Sequence, residues 1–178
     1  DYLTEYAATE LLSAIDASPW RADLSRRVQH YGYVYDYRRR TVDPSMYLGA
    51  LPGPLAALAE RLYNEGVFPG APDQCIVNEY APGQGIAPHV DCEPCFGDVV
   101  ASLSLGSACV MGFSRVDAPS ERVERVLAER SLLVMTGPGR YDWRHGIAAR
   151  KSDVIDGVRM PRGRRVSVTF RTVILTAA

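Results

Sequence analysis

From residue 74 onward the chain is a succession of short β-type runs divided by turn residues, and this constrains its fold more than any other feature. The runs are 74–80, 86–91, 99–105, 108–113, 122–128, 131–136, 140–147 and 164–174. Pro82-Gly83, Pro94, Gly106, Pro119 and Gly137-Pro138-Gly139 separate them. Short strands at such spacing predict a sandwich or barrel, and eight of them fit a jelly roll best. Upstream, residues 4–17 read as a helix capped by Thr4, with Leu11, Leu12 and Ile15 on one side. Residues 54–65 read as a second helix, opened by Pro54 and closed by Gly66. Between them, residues 26–37 read as a strand in which Tyr31, Tyr33, Tyr35 and Tyr37 share one face. The expected fold is α+β and mainly β. It is a single domain of 178 residues, with helices and a lid-like region over 1–73 and the jelly-roll core over 74–178.

Hydrophobic residues at 47% and charged residues at 23% suit an ordinary globular protein. No apolar run is long enough to cross a membrane. Four cysteines do not make a disulfide scaffold, so a reducing cytoplasm is the expected compartment. A monomer is the expected state. The net charge of −1 hides an uneven distribution. Residues 21–40 carry six arginines against two aspartates, and residues 140–171 carry eight arginines and Lys151 against three aspartates. The acids concentrate elsewhere. If the two basic segments meet, they form a basic face on a neutral protein. Arg, the side chain that forks onto phosphates and carboxylates, supplies nineteen of the twenty basic residues, though a coding bias explains the excess equally well.

The candidate chemistry begins with three histidines. His89-Val90-Asp91 places an imidazole and a carboxylate at i and i+2, so on a strand both point the same way. His145 follows on a later run. Two His and one Asp can hold one face of an octahedral ion and leave three positions open, as in non-haem Fe(II) oxygenases. Twelve aspartates make a chance His-x-Asp common, so the pair alone is a weak signal. The last run alternates strictly: Arg165, Ser167, Thr169 and Arg171 lie on one face, with Val166, Val168 and Phe170 on the other. The apolar face belongs in the core. The other is either solvated or turned inward, where two guanidinium groups require an anion such as a dicarboxylate. Asn78 and Tyr80 form another same-face pair of suitable donors.

Taken in order, the motifs are no longer generic. They are Asn78-x-Tyr80-x-Pro82-Gly83, His89-x-Asp91, Ser102-Leu103-Ser104-Leu105-Gly106, Arg130 to Met135, Arg140-Tyr141, His145-Gly146-Ile147 and Arg165-x-Ser167-x-Thr169-x-Arg171. This series resembles the AlkB family of Fe(II)- and 2-oxoglutarate-dependent dioxygenases over about Arg26 to Arg171, and looks most like the AlkB domain of its tRNA-modifying animal member. The resemblance implies a double-stranded β-helix, with His89, Asp91 and His145 as catalytic iron ligands. It implies that Asn78, Tyr80, Arg165, Ser167 and Arg171 bind 2-oxoglutarate, with O2 as oxidant. It also implies a nucleotide-recognition lid over residues 20–40, with Arg27 on phosphates and Tyr31, Tyr35 or Trp20 stacked on an extruded base. Ser167 replaces the Asn of the original bacterial enzyme, and Glu93 replaces an Asp that contacts the base there.

The activity so implied is oxidative demethylation of alkylated bases in DNA or RNA, a repair reaction. The alternatives are hydroxylation of a modified tRNA nucleoside or small metabolite, and a non-catalytic binding module on the same fold. Cys92-x-x-Cys95 reads as a zinc half-site, a redox pair or neither, while Cys75 and Cys109 read as buried thiols. His30 reads as a lid residue.

Overall fold

The computed structural model describes residues 1–22 and 25–175. Helix α1 spans Glu5–Asp16 and α2 spans Gly53–Asn64. Thr4 caps α1 by accepting the Ala7 amide at 3.2 Å. Ala8, Leu11 and Ile15 form its buried face, and Leu55, Ala59 and Leu62 that of α2. The strands are β1 Arg27–Tyr31, β2 Gln74–Tyr80, β3 Ile86–His89, β4 Phe96–Gly106, β5 Cys109–Arg115, β6 Arg122–Leu127, β7 Leu132–Met135, β8 Trp143–Ile147, β9 Ser152–Ile155, β10 Val158–Pro161 and β11 Arg165–Val173. A short helix, α3, covers Gly137–Tyr141.

Two antiparallel sheets make the jelly roll. The major sheet has the order β1-β2-β11-β4-β7 and the minor sheet β3-β8-β5-β6. Eight of these strands form the core, as the sequence predicts, and β1 extends the major sheet by pairing with β2. The β9–β10 hairpin stands apart.

β11 is central to the major sheet and shows how period two divides it. Its outward Val166, Val168 and Phe170 pack with Cys75 and Val77 of β2 and Ala101, Leu103 and Leu105 of β4, and α1 and α2 cover this face. Burying each large apolar side chain contributes about 1.5–3 kcal/mol. The inward face is polar. Ser167 lies between Asn78 of β2 and Ser104 of β4, and Arg165 pairs with Tyr80. The main apolar core therefore sits between the helices and the sheet. A smaller cluster of Tyr80, Cys109, Met111, Leu127 and Ile147 fills one end of the space between the sheets.

The structure corrects three expectations. The strand expected over 26–37 ends at Tyr31, because Gly32 takes φ +74° and a Cβ there would lie 1.8 Å from the Asp73 carbonyl oxygen. The four tyrosines consequently do not share a face: Tyr31 packs toward the helices, whereas Tyr33 and Tyr35 pack on Val42, Cys92, Cys95 and Phe96. The run expected over 140–147 divides into α3 and β8, with Pro138 in the first turn of the helix. The run expected over 86–91 ends at His89, so Asp91 projects from the following turn.

Asp153 ties the hairpin to the body. It is 2% exposed and accepts from Arg162 at 2.8 Å, Arg150 at 2.6 Å and the Val110 amide of β5 at 3.1 Å. Burial opposes its charge, but these partners, led by Arg162, outweigh burial and hold the carboxyl below the usual range. Its stabilisation is therefore complete above the unfolded aspartate value of about 3.9 and is lost as pH falls through the lower folded value. Asp153→Asn leaves Arg162 buried without its anion. We expect a loss of about 3–5 kcal/mol at pH 7, and a smaller loss at pH 3, in urea unfolding followed by circular dichroism.

Candidate metal centre and cosubstrate cradle

His89 and His145 are direct cross-strand partners on β3 and β8. Gly146 permits this approach: a Cβ there would lie 2.9 Å from the Pro88 nitrogen. The imidazole centroids are 4.4 Å apart. His89 Nδ1 lies 2.9 Å from the Ala87 carbonyl. With Nδ1–H donating there, Nε2 keeps its lone pair for the site. Asp91 Oδ1 lies 3.4 Å from His89 Nε2 and 3.9 Å from His145 Nε2. One donor atom from each of the three residues falls within 4.8 Å of the others.

Asp91 reaches this position from outside the strand because two arginines hold it. Arg171 Nε donates to Oδ2 at 2.8 Å. Arg140, 2% exposed, donates from below to the backbone carbonyls of Asp91 at 3.0 Å and of Cys92 and Phe96 at 3.4 Å. Burial pushes the Asp91 carboxyl up, yet Arg171 and the two histidines outweigh it and hold the group well below the usual range. Burial pushes His145 down to about 4, so at neutral pH it presents a neutral imidazole, the form that binds metal.

A narrow cavity of about 50 Å³ extends from these ligands along the inner face of β11 and is lined by Asn78, Tyr80, Arg165, Ser167 and Thr169. Arg165, 3% exposed, donates through Nη2 to Ser104 Oγ at 3.0 Å. Its Nε is one of two buried side-chain nitrogens among the described residues without a hydrogen-bond partner. Among the described residues no carboxylate pairs with it. A buried guanidinium with spare donors beside a His-Asp-His set fits a dicarboxylate. Asn78 accepts from Arg26 Nε at 2.8 Å, and the Tyr80 ring lies between Arg26 and Arg165, 5.9 and 5.5 Å from their guanidinium carbons. The Arg171 guanidinium is engaged by Asp91 and by Gln74 at 3.3 Å.

Outside the ligands lies a larger cavity of about 680 Å³, bordered by His89, Asp91, Glu93, Tyr35, Tyr37, Tyr141, Arg26, Arg40 and Arg144. Of the residues expected to contact substrate, Glu93 and Tyr35 border this cavity. Trp20, Arg27 and Tyr31 do not. Arg27 and Tyr31 alternate onto the helix side of β1, where Arg27 forks onto Glu79, with one contact of 2.7 Å. The Arg27 guanidinium stacks 5.0 Å from the Trp20 ring. Tyr31 donates to Gln29. Arg26, adjacent to Arg27 and of opposite parity, faces the cavity instead; only the register of β1 on β2 distinguishes them. The lid expected over 20–40 brings arginines and tyrosines to the cavity through Arg26, Arg40, Tyr35 and Tyr37 rather than through Arg27 and Tyr31, and Arg144 lies outside that segment, where no sequence signal singles it out. Arg140-Tyr141 was part of the family pattern, but nothing in the sequence showed Arg140 beneath Asp91.

These features define a mononuclear metal oxygenase built on a jelly roll. The sequence profile of the 2OG-Fe(II) oxygenase superfamily matches residues 13–171. The chain is 42% identical over 165 residues to tRNA (carboxymethyluridine(34)-5-O)-methyltransferase ALKBH8 of Mus musculus, covering 83% of this chain and 24% of that protein. It is 36% identical over 198 residues to the Alkylated DNA repair protein ALKBH8 homolog of Arabidopsis thaliana, covering 97% of this chain and 56% of that protein. The chain thus spans about a quarter and about half of these relatives. The solved structure of OsALKBH1 superposes with a TM-score of 0.72 at 18% identity, covering 96% of this chain and 93% of that one. The chain belongs to the AlkB family of 2OG-Fe(II) oxygenases. It is a dioxygenase that uses Fe(II), 2-oxoglutarate and O2.

Arg140→Gln removes the guanidinium that fixes the backbone carbonyls of Asp91, Cys92 and Phe96. We expect Mn(II) affinity, read by electron paramagnetic resonance, to fall by about 10- to 100-fold, the usual effect of losing a residue that orients a ligand. Arg165→Lys keeps the charge but loses the fork. Its 2-oxoglutarate affinity, titrated by calorimetry on Mn(II)-loaded protein, should fall by about tenfold or more, with Mn(II) affinity retained.

Proposed function

We propose that this protein oxidatively demethylates alkylated bases in nucleic acid. The observation that carries the reading is the large cavity that opens on His89 and Asp91 and is bordered by arginines and tyrosine rings. Arg26, Arg40 and Arg144 supply the charge for backbone phosphates, and Tyr35, Tyr37 and Tyr141 supply flat surfaces for a base. A base must leave its stack to enter such a cavity, and one with a methylated pairing edge is the cheapest to extrude. Glu93 at the cavity wall accepts from the exocyclic amine of that base. His89, Asp91 and His145 would hold the iron, while Arg165, with Asn78, Tyr80 and Ser167 around it, would hold 2-oxoglutarate. Held there, iron and 2-oxoglutarate would supply, with O2, the hydroxylation of a substrate C–H bond, 2-oxoglutarate leaving as succinate and CO2. An N-methyl group hydroxylated in this way leaves as formaldehyde. The Arabidopsis relative's name, which includes alkylated DNA repair, supports this reading.

One observation favours a second reading, hydroxylation of a modified tRNA nucleoside. Four arginines line the cavity, and with Arg171 paired to the metal ligand Asp91, three remain against the single acid Glu93. Their positive potential opposes a cationic methylated base and suits a neutral or anionic one. The mouse relative's name refers to a modified tRNA uridine.

Mass spectrometry of oligonucleotide products separates the readings. The panel contains 1-methyladenine and 3-methylcytosine in DNA and RNA, and tRNA bearing modified uridines. We expect formaldehyde release from the first group and binding that weakens steeply between about 50 and 200 mM salt. Glu93→Gln should slow turnover of the methylated bases about tenfold or more, the cost of a lost charge-assisted hydrogen bond, with little effect on substrate-free decarboxylation of 2-oxoglutarate. Turnover of the tRNA substrates alone would transfer the function to the second reading.

A further inference from the structure

Cys92 and Cys95 are joined by a disulfide in the turn that follows the metal ligand Asp91. Neither zinc nor an unpaired role describes them in this state. Each sulfur lies 3.3 Å from the same atom, the carbonyl oxygen of Arg40. Arg40 closes a turn in which Asp36 and Thr41 exchange backbone hydrogen bonds at 3.1 and 3.4 Å. It does so at φ +52°, a backbone region that side-chain-bearing residues occupy at a cost. The Arg40 side chain borders the large cavity, and so does Cys92. The cysteine pair thus touches the metal turn on one side and the backbone of a cavity arginine on the other.

We propose that Cys92 and Cys95 form a thiol–disulfide exchange site whose state sets the hold on the Arg40 turn and, through it, on the substrate. Only this last consequence rests on the proposed function. In the oxidising direction a low-molecular-weight disulfide accepts two electrons: one thiol attacks it and releases one reagent thiol. The second protein thiol then attacks the mixed disulfide, forms the internal S–S bond and releases the other reagent thiol. A dithiol reagent reverses both steps. Cys92 borders an open cavity, which gives a small reagent a route to an otherwise buried pair.

The two states differ in what they offer Arg40. As thiols, both sulfurs carry a hydrogen and can donate to its carbonyl; as a disulfide, neither can. S–H···O bonds are individually weak, but two on one atom bias a strained turn. On the other side, Arg140 fixes the carbonyls of Asp91, Cys92 and Phe96. The backbone that carries the metal ligand is thereby held while the turn above responds.

The test uses the whole chain equilibrated across ratios of reduced to oxidised dithiothreitol. Differential alkylation read by mass spectrometry should show Cys92 and Cys95 switching together, with Cys75 and Cys109 alkylated only after unfolding. Amide hydrogen exchange over residues 36–44 should be slower in the dithiol form. Mn(II) affinity should be the same in both forms. The KM for a methylated oligonucleotide should be lower in the dithiol form by on the order of fivefold, the scale of two weak hydrogen bonds. The double variant Cys92→Ser/Cys95→Ser keeps two donors and cannot oxidise. Its exchange over 36–44 should match the dithiol form at every ratio. A pair that stays in one state at all ratios, or exchange over 36–44 that ignores the state, overturns the proposal. If labelling and exchange both respond while no oligonucleotide is turned over, the exchange site stands and the proposed nucleic-acid substrate falls.

Discussion

The ion pair between Arg171 and Asp91 is the contact on which the interior depends. Its Nε–Oδ2 distance is 2.8 Å, and the two side chains are 10% and 5% exposed. Neither charge is tolerable alone at such depth. Together they let a carboxylate remain ionised next to two histidines, which is what a divalent metal requires. The pair also fixes the polarity of β11. Once Arg171 points inward, period two sends Thr169, Ser167 and Arg165 inward too, so the strand that anchors the metal carboxylate also builds the cradle for an anionic cosubstrate.

This inward polarity displaces the apolar core. In a sandwich of this kind the facing sides of two sheets would ordinarily bury the hydrophobic residues. Here the facing side of the major sheet is largely given to function, and its outer side carries Val166, Val168, Phe170, Leu103 and Leu105. Helices α1 and α2 consequently do more than precede the β core. Their buried faces cover the apolar side of the sheet, and without them those residues would be exposed to water.

Legibility in the sequence followed periodicity. Strict alternation over 165–171 divided those side chains into the two faces that the structure shows, while leaving open whether the polar face was solvated or turned inward, and most strand spans were readable from turn residues. Parity without register was less informative. Arg26 and Arg27 are neighbours with the same chemistry, and only the pairing of Arg27 with Glu79 decides that Arg26 faces the cavity. The tyrosine alternation misled because a single close approach, Gly32 against Asp73, ends the strand. Arg140 was legible as part of a family pattern but not as a support, since its partners are backbone carbonyls almost fifty residues away and leave no trace in residue type. The β9–β10 hairpin escaped notice because its anchor is a buried carboxylate rather than an apolar pattern.

The edges of the two sheets have a further consequence. The major sheet ends in β1, five residues long, and β7, four residues long. The minor sheet ends in the four-residue β3 and in β6, where Arg122, Glu124 and Arg125 are exposed. An unpaired edge is a template for a strand from another molecule, and short or charged edges are the usual defence. A stray strand approaching this protein meets a short edge, on β1 already occupied in part by the backbone bridge between Arg21 and Val28, or a row of charges. The brevity and charge of these borders oppose edge-to-edge pairing in a chain rich in β structure.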